Sequence, residues 1–296
     1  MEKSEKEKWI LAGKIGKEAR DFGVSLAEPG AKLLDIALAI EKKISDAGAK
    51  PAFPPNLSLN YFAAHYTPKF KDATELKKGD LLKIDVGASV DGYLSDTAAT
   101  VLVGGGENKV LDAAKEALSN AIKKVKPGIR IDEISKTIEE AIRGKGCNPI
   151  VNLGGHGIER YSIHEADFIP NIRGNSSHMI KKEGAFAIEP FATDGGGYVV
   201  DSPEVQILML VETKPVRSQL GRQILDFIAS EYNTLPFAKR WILEKFGIMA
   251  ELELKPLVSS GALYEFNVLK EQQNGNVAQF EHTLLIDGNE VTVTTE

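Results

Sequence analysis

The chain of 296 residues has one cysteine, Cys147, so neither a disulfide framework nor a thiolate zinc site is open to it. No apolar run approaches the length of a membrane span, and the opening MEKSEKEKWI is charged throughout, without the apolar core of a signal peptide. These absences lead us to expect a cytoplasmic protein with no membrane partner. A surplus of positive charge is also missing. The 36 Lys and Arg stand against 42 Asp and Glu, a net charge of −6 that argues against a general nucleic-acid binder. What remains is ordinary globular composition, 43% hydrophobic and 26% charged, in a chain long enough for a large core.

The most informative stretch is LLKIDVGASVDGYLSDTAATVLV, residues 81–103. Leu81, Leu82, Ile84 and Val86 make a buried strand with Asp85 set among them. Asp91-Gly92 is a two-residue hairpin turn, which places Val90 opposite Tyr93 and Asp85 opposite Ala98. Asp96 is then a diagonal neighbour of Asp85 on the same face. Two carboxylates that close are tolerable mainly if they share a proton or a cation; the alternative is a solvent-exposed face and an accidental spacing.

Around this hairpin the apolar spacing predicts helices at 5–22, with Ala12, Ile15, Ala19 and Phe22 inward, and at 33–47, with Leu33, Ile36, Ile40 and Ile44 inward and Gly48 closing. The proline-rich segment 51–60 reads as an irregular connection, and Gly104-Gly105-Gly106 as a turn. Further helices are expected at about 108–125 and 132–143. The segment from Pro29 to Pro51 repeats without a gap as Pro127 to Pro149: Gly30 falls on Gly128, Ile36 on Ile134, Ile40 on Ile138, Ile44 on Ile142 and Gly48 on Gly146. Continued with short insertions, the repeat sets His65 on His164, Lys77-Lys78 on Lys181-Lys182, and Asp85 on Glu189. Two halves related in this way would bring their acids together at the centre.

Glu189 lies in the apolar run AFAIEPF, where a lone charge is costly unless paired or metal-bound. His156 follows a glycine pair in NLGGHGIERY; alone it reads equally as a hydrogen-bonded core residue. Gly195-Gly196-Gly197 reads as a hairpin tip before a strand at 205–211. From about 214 to 264 helical patterns dominate, with breaks at Pro236, Gly247 and Pro256, and suggest an inserted helical subdomain in a single domain of 1–296. The strand at 277–286 puts Gln279, Glu281 and Thr283 on one face, as a half-exposed strand does, and 291–295 is a last strand. Asp85, Asp96, His156, Glu189 and Glu281 form an oxygen-rich set with one imidazole, suited to two divalent ions such as Mn, Fe, Co or Zn.

KIDVG with a second Asp eleven residues on, GGHGI, AIEPF and AQFEHT, in this order and together with AFPPNLSLNYFAAHYTP, resemble the methionine aminopeptidases, specifically the type II class in its compact archaeal form. The resemblance covers essentially the whole chain. It implies the α+β pita-bread fold: two pseudo-symmetric halves around a curved, mainly antiparallel sheet with flanking helices, plus a helical insertion. It further implies that Asp85 chelates one ion and His156 and Glu189 the other, with Asp96 and Glu281 bridging. His65 and His164 would assist catalysis beside the substrate, and Phe53, Ile163 and Phe266 would line the methionine pocket; ordinary core packing is the other reading of those three. The implied reaction is removal of the initiator methionine from nascent proteins, at the ribosome, by a monomer that binds no specific nucleic acid. Phe266 stands where the family commonly has Tyr, and Glu165 where a small residue is usual, which could alter the charge beside the substrate. The rivals are an Xaa-Pro peptidase of the same fold and a non-enzymatic pita-bread protein that binds ribosomes or RNA.

Overall fold

The structure is a computed structural model and describes residues 1–174 and 177–296. Seven helices are present among the described residues: α1 (Lys3–Ser25), α2 (Leu33–Asp46), α3 (Lys109–Ile122), α4 (Ile131–Gly144), α5 (Gln219–Glu231), α6 (Lys239–Phe246) and α7 (Ala250–Ser259). The expected repeat is visible as architecture. Helices α2 and α4 are each 14 residues long and each is followed by a two-residue strand, Lys50–Pro51 and Asn148–Pro149. In the first half α1 and α2 bury Ile15, Ala19, Ile36 and Ile40 against Leu82, Ile84 and Val86 of the central strand. In the second, α3 and α4 bury Ala114, Leu118, Ile134 and Ile138 against Phe186, Ile188, Leu284 and Ile286. The strands pair antiparallel, and with two matching helix-and-strand halves this is the arrangement expected of the pita-bread α+β fold.

The hairpin register is as expected. Asp85 pairs with Ala98 and Val90 with Tyr93, and the turn residues Asp91 and Gly92 have φ of 54° and 86°, the positive pair that a tight hairpin needs. Between the two ladder segments sits Gly87, where any side chain is excluded: a Cβ there would lie 2.4 Å from the Ser95 carbonyl oxygen and 2.5 Å from Phe53 Cε1. The absence of that atom lets the Phe53 ring approach the hairpin beside Asp96.

Several expectations need correction. Phe22 is exposed; the buried face of α1 runs instead through Trp9, Ala12, Ile15 and Ala19, with Gly13, Gly16 and Gly23 letting neighbours approach closely. The second part of the proline-rich connection is the strand Asn56–Leu59, paired to Asp85–Leu82. The glycines at 195–197 are no hairpin tip. The strands they join, Phe191–Thr193 and Val199–Leu210, lie in different sheets, and the glycines make room for the buried Glu271 carboxylate, whose Oε1 accepts from the Gly197 amide. Pro256 lies inside α7, held there by the burial of Leu254 and Leu257 on either side. Helices α5 to α7 share a hydrophobic cluster of their own with Leu208, Leu210 and Leu263.

The face of Gln279, Glu281 and Thr283 is not half-exposed: all three are buried, at 1%, 1% and 0% exposure. The chain here breaks into two short strands, Val277–Gln279 and His282–Asp287, and Glu281 forms a separate bridge to Ala98. Two threonines fasten this segment to the first half. Thr283 Oγ1 accepts from the Asp96 amide and donates to the Asp96 carbonyl, both at 2.7 Å. Thr100 Oγ1 does the same for Gln279, at 2.8 and 2.7 Å.

Candidate active site

A single row of residues crosses both halves. Asn56 pairs with Asp85, Asp85 with Ala98, and Ala98 with Glu281; Glu189 follows Ile188, whose partner is His282, so it closes the row beside Glu281. Ala98, the small member, leaves space above it, and Asp96 reaches the same face from two residues earlier. The carboxylates of Asp85, Asp96, Glu189 and Glu281 thus meet at the floor of one cleft, whose cavity measures about 360 Å³. All ten residues singled out from the sequence line that cleft: the five candidate ligands, His65, His164, Phe53, Ile163 and Phe266.

The electrostatics of this floor are severe. Burial, and then the Asp96 charge, push Asp85 well above the ordinary carboxylate range, while the hydrogen bond from Asn56 opposes the shift. Burial likewise raises Glu189, with Asp96 and Asp85 adding to it, and raises Glu281, with Asp96, Glu189 and Asp85 adding. His156 Nε2 lies 3.5 Å from Asp96 Oδ2 and 3.6 Å from Glu189 Oε1, too long for firm hydrogen bonds. Asp85 Oδ1, Asp96 Oδ1 and Glu281 Oε1 are buried with no hydrogen-bond partner. Crowded acids with orphaned oxygens and an imidazole fit a divalent cation better than any arrangement of protons. Asp96, His156 and Glu281 each bring a ligand atom within 4.8 Å of the others, a buried group able to bind metal.

Above the floor stand two more imidazoles. His65 has φ of 62°, the left-handed region that a non-glycine residue occupies at a cost. Its Nδ1 lies 3.1 Å from the Asn267 carbonyl oxygen, and burial holds its pKa below that of a free histidine. The His164 ring centre is 4.5 Å from that of His156. It is open to the cleft yet enclosed by protein on its other sides; this burial, then His156 and His65, hold its pKa well below the ordinary value. Phe266 meets His65 edge-on at 5.4 Å and Tyr264 at 5.0 Å. Phe53 and Ile163 line the cleft while also belonging to the core cluster of Trp9, Tyr93 and Leu94. These two are thus part of the core and of the cleft lining at once.

Glu165, suspected of altering the charge beside the substrate, is half-buried and belongs to the lining of the cleft, at the side where it meets Asp167. It pairs with Gly157, one residue past His156, and its Cβ packs over Gly157 beside Asp167. Its charge helps to raise Lys181, whose ammonium pairs with Asp167 at 3.0 Å. Glu165→Ala is expected to change kcat/KM on Met-Ala-Ser less than about threefold, since the Lys181 ammonium beside Glu165 offsets its charge; steady-state kinetics checks this.

Sequence reasoning missed Asn56 and the place of Gln279. Asn56 Nδ2 donates to Asp85 Oδ2 at 3.3 Å, and Gln279 Nε2 to Glu189 Oε2 at 3.1 Å. The alternation of 279, 281 and 283 was a usable signal for Gln279, once the polar face is allowed to be the inner one. Asn56, behind two prolines, gave none. Phe168 and Tyr264, exposed at the cleft mouth, also carried no local mark.

The family model for metallopeptidase family M24 matches residues 7–287. The methionine aminopeptidase of Pyrococcus abyssi is 50% identical over 98% of this chain and 99% of its own, and that of Methanocaldococcus jannaschii is 42% identical over 98% of each. Among solved structures, the methionine aminopeptidase of Thermotoga maritima superposes with a TM-score of 0.73 at 24% identity, covering all of this chain and 98% of that one. A thermophilic Arx1 superposes with a TM-score of 0.88 at 18% identity, covering 99% and 91%. At such identities the solved structures speak for the fold alone.

Proposed function

The chain belongs to metallopeptidase family M24, and from that premise we propose that it is a metal-dependent aminopeptidase that hydrolyses the N-terminal methionine from newly made proteins. The observation that carries this reading is the buried cluster of four carboxylates and His156 at the floor of a cleft. The near full-length identity to methionine aminopeptidases supports it. Asp85 would hold one ion and His156 and Glu189 a second, with Asp96 and Glu281 shared between them. Divalent cations held there supply an acidified water as nucleophile and polarise the scissile carbonyl.

The chain's own residues do the remaining work. Phe53, Ile163 and Phe266 accept the methionine side chain on apolar surface, which sets the scissile bond above the carboxylate floor. His164, kept neutral, donates a hydrogen bond to the carbonyl oxygen as charge develops on it. His65 stands on the side of the amine and the leaving group. Residues 214–264 we take as an insertion within a single catalytic unit, since α5 to α7 have a hydrophobic cluster of their own. We place the enzyme in the cytoplasm, where as a monomer it meets chains emerging from the ribosome; removal of methionine from newly made proteins supports this location. No described helix is long and apolar enough to cross a membrane.

Initial rates on Met-Ala-Ser after chelation, with Mn²⁺, Co²⁺, Fe²⁺ or Zn²⁺ added back, test the proposal beside Xaa-Pro dipeptides as competitors. Loss on chelation and return with metal, on the methionyl peptide, is the expected result. Hydrolysis of Xaa-Pro alone, or none by folded protein under any metal, overturns it.

A further inference from the structure

The oxygens of the carboxylate floor divide into two kinds. One oxygen of each of three acids accepts from a buried carboxamide: Glu189 Oε2 from Gln279 Nε2 at 3.1 Å and, in longer bonds, Asp85 Oδ2 from Asn56 Nδ2 at 3.3 Å and Glu281 Oε2 from the same Gln279 Nε2 at 3.4 Å. The other oxygen is left free: Asp85 Oδ1 and Glu281 Oε1 have no partner, and Glu189 Oε1 faces only His156 at 3.6 Å. Gln279 therefore spends both amide hydrogens on two different acids. The orientation of its carboxamide follows from charge, because the flipped form would set its oxygen against two carboxylates.

Nothing else in the fold explains so buried a glutamine. It is 1% exposed, its own Oε1 is unpartnered, and the reciprocal bonds to Thr100 hold its backbone from the other half of the molecule. A core position that accepted an apolar side chain would cost less. The arrangement makes sense if the gain is elsewhere: a neutral donor fixes which oxygen of each acid turns inward without competing as a cation.

We propose that Gln279, with Asn56 in a lesser part, is a positioning residue that fixes the rotamers of Glu189, Glu281 and Asp85 and so presents a preformed set of free oxygens to divalent cations. The proposal rests on the metal-centre reading above. Groups that orient metal ligands commonly change affinity 10- to 100-fold when removed. Gln279→Met keeps the length of the side chain and removes both donors. Gln279→Asn keeps a carboxamide but falls short of both acids by one methylene.

The test is calorimetric titration of the metal-stripped chain with Mn²⁺, with no peptide present. Mn²⁺ is expected to bind either variant about 10- to 100-fold more weakly than the wild type. Raising Mn²⁺ in proportion should restore kcat on Met-Ala-Ser, which repairs a weakened site but not a damaged fold. Affinity within threefold of wild type in a folded variant overturns the role of Gln279 and leaves the metal centre standing. A wild-type chain that takes up no Mn²⁺ overturns the metal-centre reading and this proposal with it. The two variants guard against misfolding of either one.

Discussion

Asp96→Asn is expected to lower kcat/KM on Met-Ala-Ser by at least about 10³-fold, equivalent to about 4 kcal/mol of transition-state stabilisation, while making the metal-free protein more stable. The two effects have one cause. Asp96 is buried at 4% exposure, and its charge is among the forces that raise Asp85, Glu189 and Glu281. Replacing it by its neutral isostere relieves three neighbours at once and keeps the volume. The backbone bonds to Thr283 are untouched, because they use the Asp96 amide and carbonyl rather than its carboxylate. In the metal-free state the variant should therefore unfold at a higher temperature, by about 2–4 °C for each kcal/mol of repulsion removed. With metal the order should reverse, since the wild type gains the larger binding free energy. Calorimetric scans with and without Mn²⁺, beside the rate, check both signs. A metal-free variant less stable than wild type would show that the floor is not under electrostatic stress.

The second large effect is expected at His164. His164→Ala should reduce kcat about 10²- to 10³-fold, the usual loss for one donor to a developing oxyanion, with KM nearly unchanged and with no loss of stability. The last point follows from exposure to the cleft: the imidazole stands in the cleft, with His156 and the more distant Phe266 at 6.3 Å as its ring neighbours. The pH dependence follows from the direction of its shift. Burial first, then the neighbouring imidazoles, disfavour the protonated form, and cations bound below would disfavour it further, so His164 stays neutral through the range in which a free histidine titrates. It is thus a donor whose strength does not change between pH 6 and 8. Wild type and His164→Ala should show kcat profiles of the same shape over that range, displaced vertically. A variant that abolishes an acid limb present in the wild type would assign the titration to His164 and contradict this reading.

Much of the site was legible because its geometry is local. Asp85 and Asp96 are joined by a two-residue turn whose type follows from Asp91-Gly92, so register and facing could be counted residue by residue. The repeat carried that reading across the chain to Glu189. What could not be read locally was the sense of a face. Gln279, Glu281 and Thr283 alternate with apolar residues just as a solvent-facing strand does, and only the second half of the molecule, laid over them, makes the polar side the inner one. Glu165 shows the same limit. Its position beside His164 in sequence suggested proximity to substrate, and it does line the cleft; what the sequence did not give is that its Cβ packs over Gly157 beside Asp167, which pairs with Lys181. Phe22 and the glycines at 195–197 failed for a related reason: each was assigned by a pattern that several environments share.

The seam that unites Asp96 with Thr283 joins residues 187 positions apart. Asp85 and Asp96 are synthesised long before Glu281 and its fastening threonine, so the centre is complete only when the last strands are in place. A fragment ending before Thr283 is expected to lack the peptidase activity of the whole chain, because the bonds that fasten Asp96 to the last strands are missing.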